Sequence, residues 1–575
     1  MEKTEKIYKI RHSLAHLLAM AALEHDPNAK LTIGPVVDNG FYYDIDFSEG
    51  KAPTPEDLKK LQKTMKKLAG RKLPFTKRTL RDEEAKKMFA DNPYKMELIE
   101  GIIKDGEKTT VYDTGDFTDL CEGPHAENTG EIDTDAFKLD HIAGAYWRGS
   151  EKNKMLTRIY GIAFETKQEF DEYLAMVEEA KKRDHRKLGK DLDLFTFSDL
   201  VGAGLPLWTP KGTVLREQLD NFVRGLRDTY GYQRVTIPHI TKKALYETSG
   251  HWAKFENELF KITTREGKEY AMKPMNCPHH TQIFARTQWS YRDMPQRYAE
   301  TTMVYRDEQS GELGGLTRVL SITQDDSHIF ARTNQIKREF FQTWDMIDTL
   351  YNTFGFKLRV RLSFHDPATF EKYLGTKEIW RNAEQALREI AVERKADYFE
   401  APGEAAMYGP KLDFMAKDSL GREHQVATIQ LDMNLPKRFD LFCINEKGEK
   451  ERVVMIHSAI MGSIERFSAV LIEHLGGAFP FWLSPVQTWV LPITDAHEKY
   501  GKEVCETLKA AGIRAELHNE SETLGKKIRN GKMQKVPYLL VIGDKEVEDT
   551  TVTIESRDEG NKGAFPLAEL IKNLK

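Results

Sequence analysis

The sequence predicts an α+β protein of several domains, and three observations lead to that fold class. Residues 302–330 contain two strand-like runs on either side of a glycine-rich loop, which is typical of paired strands. Residues 452–475 combine an apolar strand with an amphipathic helix. From residue 486 to the C-terminus, strands and helices alternate, which indicates a small α/β domain around a sheet that includes YLLVIG.

Length and charge set the number of domains and limit the partners. At roughly 150 residues per domain, a chain of 575 residues is expected to form three or four domains. We place the first domain at 1–177, a charged connecting helix at 178–195, the largest domain at 196–485 and the last domain at 486–575. A net charge of −5 argues against a generally basic surface, so a nucleic-acid partner would need local basic patches.

Cysteine usage and the N-terminus predict the compartment. The four cysteines are widely spaced, which favours a reducing compartment over a disulfide framework. The charged start MEKTEKIYKIRH has no apolar signal core, and no apolar run of membrane length follows it. We therefore expect a cytoplasmic protein without a membrane partner.

The first domain contains a hairpin signal and two pairs of polar residues. The NG dipeptide that starts at position 39 lies between apolar runs and predicts a hairpin. His12 and His16 are four residues apart, so they lie on one face of a helix. Cys121 and His125 form a second pair, and the four side chains together would suit zinc. The alternative is a capped helix beside an unrelated loop.

Polar side chains converge on the strands around the glycine-rich loop. Because side chains alternate between the two faces of a strand, we expect one polar face on the second strand, made of Arg318, Gln324, Asp326 and His328. On the first strand, Arg306 and Glu308 share a face. Burying such groups without partners would cost roughly several kcal/mol. A site for an anionic, polar ligand would offset that cost, whereas the alternative is a solvated hairpin face.

A second polar segment follows at residues 452–475. We interpret it as a strand that ends near His457, then Gly462, then a helix that carries Arg466. A glycine before a helix lets a ligand approach the backbone, and an arginine just inside the helix can reach a phosphate. This segment favours the anionic ligand over the solvated face.

These segments resemble the motifs of class II aminoacyl-tRNA synthetases. Residues 302–330 resemble motif 2, and GSIERF resembles motif 3. GYQRVTIPHI, in which Pro238 ends a strand after a helix, resembles motif 1. KPMNCP at 273–278 and TQDDSH at 323–328 narrow the resemblance to the threonyl-tRNA synthetase family, from about Tyr8 to the C-terminus.

The resemblance implies an α+β multidomain architecture with a class II antiparallel-sheet catalytic core. An editing domain would precede the core, and an α/β anticodon-binding domain would follow it. It also implies a ligase that activates threonine with ATP, transfers it to tRNA(Thr) and hydrolyses mischarged Ser-tRNA(Thr). The implied cofactors are one zinc ion per chain and magnesium with ATP. The implied partners are tRNA(Thr), ATP, L-threonine and a second copy of the chain in a homodimer.

The resemblance implies a zinc site at Cys277, His328 and His457, because these positions bind zinc in the family. Three protein ligands leave room for a substrate. Threonine and valine are nearly isosteric, so an apolar pocket separates them poorly. Zinc bound by the amino and hydroxyl groups of threonine would reject valine, and Asp326 would accept a hydrogen bond from that hydroxyl. Serine also has a hydroxyl, which explains an editing domain on the same chain.

The resemblance assigns further roles in activation. Arg306 would bind the α-phosphate and the threonine carboxylate, Glu308 would contact adenine, and two arginines would hold the outer phosphates. The implied catalytic set is Arg306, Glu308, Arg318 and Arg466. The ATP-binding set adds Ile322, Gln425 and Thr428. The implied threonine-binding set is Met275, Gln324, Asp326, Tyr408, Lys411 and Gln430. The candidate anticodon contacts are Asn519, Glu546 and Arg557.

The polar pairs of the first domain resemble the editing motifs of the family. There, the matching residues position water and the ester of a mischarged tRNA, which implies hydrolysis without an obligatory metal. We therefore interpret the set as editing residues and not as a structural zinc site. The set is His12, His16, Lys95, Asp119, Cys121 and His125.

The chain also departs from the family pattern. The editing motif begins within the first dozen residues, so we expect the small β-grasp domain that many members carry before it to be absent. Motif 2, usually RVRxFTQ, reads RVLSITQ, so Leu320 replaces an arginine and Ile322 replaces an aromatic that stacks on adenine. His279 and Ala427 stand where glycine is usual. These changes bear on ATP affinity and on the shape of the amino-acid pocket.

Two other functions compete with the ligase. A synthetase-like paralogue would bind RNA or amino acid without charging tRNA, but Arg306, Arg466 and the three zinc positions are intact. A metallohydrolase built on His12 and His16 would need a glutamate beside the first histidine, as in HExxH proteases, and that position is Ser13.

Overall fold

The computed structural model of the protein describes residues 2–574, and the chain divides into two compact units. The first unit is Met1–Glu178 and the second is Glu179–Lys575. The helices and strands up to the end of the first unit are α1 Glu2–His25, β1 Lys30–Leu31, β2 Val36–Val37, β3 Gly40–Asp46, α2 Leu58–Ala69, β4 Thr76–Thr79, α3 Asp82–Met88, α4 Pro93–Lys104, β5 Thr110–Thr114, β6 Phe117–Leu120, β7 Phe137–Tyr146, β8 Met155–Ala163 and α5 Lys167–Arg183.

The first unit is a mixed α and β structure with two antiparallel sheets. The larger sheet has the order β1-β3-β8-β7, with β2 paired to β3, and the smaller sheet has the order β4-β5-β6. Helix α2 has buried residues at Leu58, Leu61, Met65 and Leu68, and this helical spacing packs it into the same core as α1. The predicted hairpin is confirmed, because Val37 pairs with Gly40 and Asn39 adopts a φ of 60° in the turn.

The charged connector is not one helix, so that prediction was wrong. Helix α5 ends at Arg183, and a separate helix, α6, spans His185–Asp191. The side chain of Asp184 accepts a hydrogen bond of 2.8 Å from the backbone N–H of Arg186. This local cap competes with continuation of the helix and starts a new one.

The second unit contains the remaining helices and strands. After α6 they are β9 Phe195–Thr196, β10 Leu207–Trp208, α7 Pro210–Thr229, β11 Gln233–Arg234, β12 Ile240–Lys242, α8 Lys243–Ser249, α9 His251–Lys254, β13 Lys261–Thr263, β14 Glu269–Met272, α10 Cys277–Phe284, β15 Trp289–Ser290, β16 Gln296–Tyr305, β17 Ser321–Ala331, α11 Ile336–Thr353, β18 Lys357–Phe364, α12 Lys377–Glu393, β19 Tyr398–Pro402, β20 Lys411–Lys417, β21 Glu423–Asp432, α13 Leu435–Arg438, β22 Phe442–Ile444, β23 Lys450–Arg452, β24 Val454–Ser463 and α14 Ile464–Leu475. The last elements are β25 Thr488–Pro492, α15 Glu498–Ala510, β26 Ala515–Leu517, α16 Leu524–Met533, β27 Tyr538–Ile542, α17 Asp544–Asp549, β28 Thr551–Ser556, β29 Gly560–Pro566 and α18 Leu567–Leu574.

An eight-stranded sheet organises the second unit, in the order β11-β16-β17-β24-β21-β20-β18-β19. The six central strands pair antiparallel with one another, and the two outermost pairs are parallel. Apolar faces of α11, α12 and α14 pack in the core with this sheet, through residues such as Phe340, Leu387 and Phe467. The predicted antiparallel core is therefore confirmed.

Two predicted strands have different limits in the structure. Strand β16 ends at Tyr305 and β17 begins at Ser321, so Arg306, Glu308 and Arg318 lie in the loop between them. The prediction that these three belong to strand faces was wrong, because the chain makes a turn in which Gly315 has a φ of 55°. Gln324, Asp326 and His328 do lie on β17.

Strand β24 continues beyond His457 to Ser463, so the predicted strand end was also wrong. The carboxylate of Asp325 accepts hydrogen bonds from three successive backbone N–H groups, at residues 460, 461 and 462, with lengths of 2.9, 3.0 and 2.7 Å. These bonds fix the end of the strand immediately before α14 begins.

The C-terminal part contains the predicted α/β arrangement. Its sheet has the order β26-β25-β27-β28-β29, with β27, the YLLVI strand, at the centre. The pairs of β25 with β26 and β27 are parallel, whereas β27, β28 and β29 pair antiparallel. Within residues 2–574, no helix has both the length and the apolar character that crossing a membrane requires.

Candidate functional site

Three predicted metal ligands meet on the eight-stranded sheet. His328 on β17 and His457 on β24 are direct cross-strand partners, and Nε2 of His328 lies 3.1 Å from Nδ1 of His457. Cys277 is the first residue of α10, and its Sγ lies within 4.8 Å of both ring nitrogens. All three side chains are buried. Strand pairing thus joins residues that are far apart in sequence.

On the side away from this pair of nitrogens, each imidazole forms a hydrogen bond with a neighbouring side chain. Nε2 of His457 donates a 3.0 Å hydrogen bond to the carboxylate of Asp432, and Nδ1 of His328 shares a 2.7 Å hydrogen bond with Nδ1 of His280. The other two nitrogens face each other across 3.1 Å. Two nitrogens bound to one tetrahedral zinc at about 2.0–2.1 Å would be about 3.3 Å apart, so the observed pair fits a zinc ion.

A polar pocket adjoins these residues. Nδ2 of Asn276 donates a 2.9 Å hydrogen bond to Asp326, whose burial raises its pKa although this bond and nearby positive charge oppose the rise. The ring of Tyr408 stacks on His457 with centroids 4.6 Å apart, and its hydroxyl donates to Gln430 at 2.5 Å. A cavity of about 370 Å³ has Met275, Tyr408, Lys411 and Gln430 among its lining residues.

Arginines supply positive charge around the sheet. Arg466 lies in the first turn of α14 and is exposed, and partial desolvation lowers the pKa of its guanidinium. Its backbone N–H is capped by the Ser463 hydroxyl at 3.2 Å. The Arg306 guanidinium lies 5.4 Å from the centroid of the Phe255 ring, and its Nε has no hydrogen-bond partner among the described residues. An anion could therefore bind these two groups without first breaking an ion pair.

Arg318 is arranged differently. Its guanidinium donates two hydrogen bonds to Glu308, at 2.9 and 2.6 Å, and also lies 3.1 Å from Glu312. It is half exposed, so its partners compete with water. Two predicted nucleotide-binding residues thus bind each other in this structure.

The remaining predicted nucleotide residues lie on the central strands. Gln425 accepts a 2.7 Å hydrogen bond from Arg361 and donates at 3.0 Å to the buried Asp413. Thr428 accepts a 3.4 Å hydrogen bond from Gln430. Ile322 is half-buried and faces Val304 as its cross-strand partner. An aliphatic pair therefore stands where the family has an aromatic ring.

A second cluster lies in the first unit. His12 and His16 extend from α1, and Cys121 and His125 follow β6; one ligand-type atom from each lies within 4.8 Å of the others. Sγ of Cys121 lies 3.4 Å from Nε2 of His12 and 3.2 Å from Nε2 of His125. Nδ1 of His125 lies 3.2 Å from the Ser13 hydroxyl. The prediction that His12 and His16 share a helix face is confirmed.

An ion pair and a cavity complete this second cluster. Nζ of Lys95 lies 2.7 Å from Asp119, both side chains are 3% exposed, and the Tyr43 hydroxyl donates to the same carboxylate at 2.5 Å. A cavity of about 410 Å³ is lined by these three residues together with His12 and Cys121. The structure therefore brings all six predicted editing residues together.

Burial sets the charge of the second cluster. It lowers the pKa of His12, and it lowers the pKa of His16 and His125 much further, with neighbouring positive charge adding to the effect. It raises the pKa of the Cys121 thiol to about 11. At neutral pH the cluster therefore consists of neutral imidazoles and a protonated thiol.

The three predicted anticodon residues have separate environments. Asn519 borders a cavity of about 380 Å³ and donates a 2.8 Å hydrogen bond to Glu498. Glu546 accepts hydrogen bonds from Gly543 N–H and the Thr553 hydroxyl, so it caps α17. The Arg557 guanidinium donates to two backbone carbonyls, at residues 479 and 535. Only Asn519 among the three borders that cavity.

Several residues at these sites were missed by sequence reasoning. His280, Asp432 and Tyr43 hold predicted site residues in place, and Asp325 fixes the entry to α14. Asp432 could have been found, because it lies two residues after Gln430 on the same strand and so shares its face. The others act on partners that are distant in sequence, and no local pattern marks them.

Comparison with known protein families gives three matches along the chain. The tRNA synthetase class II core domain (G, H, P, S and T) matches residues 260–475, and an anticodon binding domain matches residues 487–575. The threonyl and alanyl tRNA synthetase second additional domain matches residues 109–160. The first match covers β13 to α14, and the third covers the Cys121 and His125 pair.

Similar proteins cover nearly the whole chain. A threonine–tRNA ligase of Gloeobacter violaceus is 49% identical over 581 aligned residues, which cover 99% of this chain and 92% of that protein. One from Porphyromonas gingivalis is 49% identical and covers 98% of this chain and 86% of that protein. A crystal structure of the RNA binding domain of threonyl-tRNA synthetase from Cryptosporidium parvum superposes with a TM-score of 0.65 at 39% identity, covering 68% of this chain and 97% of that one.

Proposed function

The chain belongs to the threonine–tRNA ligase family of class II aminoacyl-tRNA synthetases, and from this premise we propose how its residues divide the work. It is an enzyme with the class II core, anticodon-binding and editing domains of that family. Its reaction is the joining of threonine to tRNA at the expense of ATP, with an editing domain to hydrolyse errors. The roles of individual residues below are proposals.

The observation that carries the assignment of the synthetic site is the cluster of Cys277, His328 and His457. One helix start and two paired strands bring these residues together around nitrogens that face each other at 3.1 Å. We propose that they hold one zinc ion per chain, which when bound would contact the amino and hydroxyl groups of threonine. Asp326, held by Asn276, would accept the hydrogen bond from that hydroxyl.

This arrangement would select threonine by its hydroxyl. Valine has the same shape but would leave the carboxylate oxygen of the buried Asp326 that Asn276 does not bind without a hydrogen-bond donor, and an unpaired buried polar atom is costly. Tyr408 and Gln430, which bond each other, would close the side of the pocket, with Met275, Gln324 and Lys411 as its other proposed residues. Serine would satisfy Asp326 and pass this filter.

Activation needs positioned charge more than covalent chemistry. A carboxylate oxygen of threonine attacks the α-phosphorus of ATP, and the bond to pyrophosphate breaks. Arg306 would bind the α-phosphate and the carboxylate, and Arg466 would bind an outer phosphate with magnesium. Arg318 and Glu308 must exchange their mutual hydrogen bonds for contacts with ATP. Gln425 and Thr428 would line the nucleotide pocket beside Ile322.

We propose that the first unit hydrolyses Ser-tRNA(Thr) in the cavity beside Cys121. The lowered pKa of His12 keeps its imidazole neutral, and Nδ1 donates a 3.1 Å hydrogen bond to the Pro124 carbonyl, so Nε2 is unprotonated and can accept a proton from an attacking water molecule. The Lys95 ammonium, fixed by Asp119, would supply positive charge for the oxyanion that forms at the ester carbonyl. A neutral cluster beside a lysine does not require a metal for this step.

The remaining proposals concern the RNA substrate, the assembly and the cellular location. We propose tRNA(Thr) as the RNA substrate, with Asn519, Glu546 and Arg557 near its anticodon, and a homodimer as the assembly. The cavity at Asn519 supports the first of these contacts. The four cysteines are free, which supports a cytoplasmic location.

A threonine-dependent ATP–pyrophosphate exchange assay, followed by charging of cognate tRNA, tests the synthetic function. Threonine should support exchange, and valine should support it at least about 100-fold less well because it lacks the hydroxyl. Arg466→Gln is the variant to compare, since it should retain zinc and lose exchange. A chain that binds zinc and threonine but catalyses no exchange would instead be a binding paralogue.

A further inference from the structure

His185 belongs to none of the proposed sites, but its side chain contacts two elements that carry proposed site residues. It is the first residue of α6 and is 5% exposed. One side of its ring faces α14, the helix that carries Arg466 in its first turn. The other side faces residues 306–320, the segment between β16 and β17, which we call the motif 2 loop. This loop carries Glu308 and Arg318.

The ring is bound on both nitrogens. Nδ1 of His185 donates a 2.7 Å hydrogen bond to Glu473 near the end of α14, and the same carboxylate oxygen accepts the His185 backbone N–H at 3.0 Å. Nε2 accepts a 3.1 Å hydrogen bond from the backbone N–H of Leu316 in the motif 2 loop. With both nitrogens committed, the ring bridges the helix and the loop and has no lone pair left for a ligand.

The Glu473 carboxylate, which accepts from His185, is also held by a second residue. Arg422 donates a 2.6 Å hydrogen bond to the second oxygen of Glu473. Burial opposes ionisation of Glu473, but the hydrogen bonds from His185 and Arg422 outweigh it and lower its pKa. An ionised, doubly bound carboxylate holds the Nδ1 proton of His185, which keeps Nε2 as the acceptor that the loop needs.

The loop backbone passes unusually close to the ring. At Gly315, which has a φ of 55°, an added Cβ would lie 2.4 Å from Nε2 of His185. The neighbouring Leu316 is fully buried in the core of the unit. Only a glycine at position 315 lets the loop backbone approach the ring this closely. The loop is held at Leu316 and continues directly into the exposed part that carries Arg318.

We propose that His185 is a positioning residue for ATP, which holds the motif 2 loop at a fixed place relative to α14. The inference rests on the proposed function of Arg318, Glu308 and Arg466 in nucleotide binding. Their guanidinium and carboxylate groups must reach one nucleotide from two different elements. A bridge between those elements restricts the loop before ATP arrives, so less ordering is left to the binding step.

The kinetic test replaces the bridge in the full-length protein. His185→Ala should raise the KM for ATP about 5- to 20-fold, since each lost hydrogen bond is worth a factor of about 2 to 10. The KM for threonine should change by less than about twofold. His185→Gln offers an amide oxygen to Leu316 and an amide N–H to Glu473, so it should recover most of the lost ATP affinity.

A matched histidine on α14 serves as the control. His474 is hydrogen-bonded to the backbone of Phe354 and Ser419 and packs on the Phe356 ring, and among the described side chains it has no hydrogen bond or ring contact to the motif 2 loop. His474→Ala should lower the melting temperature by about as much as His185→Ala and leave the KM for ATP unchanged. Equal effects of the two variants on this KM would overturn the proposal, because they would report a general loss of packing.

Two further measurements do not depend on catalytic activity, so they separate this inference from the proposed function. In His185→Ala, backbone amides of residues 306–320 should exchange with deuterium about 2- to 10-fold faster. Gly315→Ala should speed the same exchange in the parent protein and should add less in His185→Ala, because the clash with the ring is gone while the strain of the positive φ and the close approach to Arg186 remain. Unchanged loop exchange, or full additivity of the two substitutions, would refute the bridge even in a protein that proves inactive.

Discussion

The chain contains two clusters of histidine and cysteine whose members are alike and whose surroundings differ. On the eight-stranded sheet, the outer nitrogen of His457 donates to the carboxylate of Asp432, and that of His328 bonds to His280. In the first unit, Nδ1 of His12 faces the backbone carbonyl of Pro124, and Nδ1 of His125 faces the Ser13 hydroxyl. The described structure gives no carboxylate partner to either of these two rings.

The difference teaches that the neighbours of a cluster of histidine and cysteine, more than its ligand types, decide whether it suits a metal. A carboxylate behind an imidazole makes the facing nitrogen a better metal ligand. In the first unit, the carboxylate of Asp119 lies 2.7 Å from the Lys95 ammonium, so its negative charge is already paired and is not free to stabilise a dication. A pattern of His, His, Cys and His therefore does not identify zinc on its own.

The largest expected effect separates hydrolysis from synthesis. His12→Ala combined with His16→Ala should slow deacylation of Ser-tRNA(Thr) about 100- to 10,000-fold, the usual contribution of a general base. Threonine charging should stay within about twofold of the parent, because the sheet cluster is untouched. Deacylation of purified Ser-tRNA(Thr) is the measurement, and an unchanged rate would show that the cluster in the first unit is not the editing site.

A second test compares the two clusters by the metal content of variants in each. Cys277→Ser should lose zinc and threonine activation together. Its loss of zinc affinity should exceed the roughly 10- to 100-fold loss expected when a residue that hydrogen-bonds to a metal ligand is removed. Asp432→Asn should show that smaller, intermediate loss. Cys121→Ser is the matched control and should leave the metal content unchanged. Elemental analysis of the three purified variants checks this, and a fall in zinc for Cys121→Ser would place a metal in both clusters.

A third test uses pH. In the folded first unit, burial lowers the pKa of His12, His16 and His125 below the value of about 6.5 that imidazoles have in unfolded chains. As pH falls through 6.5, the unfolded state takes up protons that the folded state does not. Stability is therefore full above this pH and is lost below it, at up to about 1.4 kcal/mol per pH unit for each imidazole.

Hydrogen exchange of α1 in the full-length protein measures this loss. After correction for intrinsic rates, protection should fall between pH 7.5 and 5.5, and His16→Gln should reduce the slope because glutamine does not titrate. An identical slope in that variant would mean that the cluster does not set the acid sensitivity of the unit.

The smallest expected effect concerns Ile322, which lies outside the cluster of Cys277, His328 and His457. Ile322 lies on the same strand as His328 but at the nucleotide end, where an aromatic contact is worth roughly 0.5–1.5 kcal/mol beyond burial. Ile322→Phe should therefore lower the KM for ATP about two- to tenfold and leave zinc content and the KM for threonine unchanged. If the pocket has repacked around the aliphatic pair with Val304, phenylalanine would overpack it and raise the KM for ATP. An ATP titration of pyrophosphate exchange distinguishes the two results.

Local sequence patterns predicted those parts of the fold that local forces determine. The helix with His12 and His16, the hairpin at Asn39 and the helix that begins after Ser463 all carry periodicity, turn or capping signals. The motif 2 loop did not follow from alternation, because β16 stops at Tyr305 and the glycines turn the chain. Counting alternate residues through a loop places side chains on a face that does not exist.

The partners of the site residues were beyond sequence reasoning for a different reason. Asp325 matters because three N–H groups of β24 converge on it, and His185 because the motif 2 loop returns to it across 131 residues. Such roles depend on tertiary pairing and leave no local signal. Resemblance to a family supplied the residues that would touch substrate, and the structure was needed to find those that hold them.

The division of the chain has a consequence for its synthesis on the ribosome. Domains tend to fold as units, N-terminal first, while the rest of the chain is still being made. All six proposed editing residues are present by His125, inside a compact unit that ends at Glu178. The proposed zinc cluster needs His457, whose partner His328 lies 129 residues earlier, so it cannot form until most of the chain has emerged. A chain released before His457 therefore contains all the proposed editing residues and lacks part of the proposed synthetic site, so on these assignments truncation removes synthesis before it removes editing.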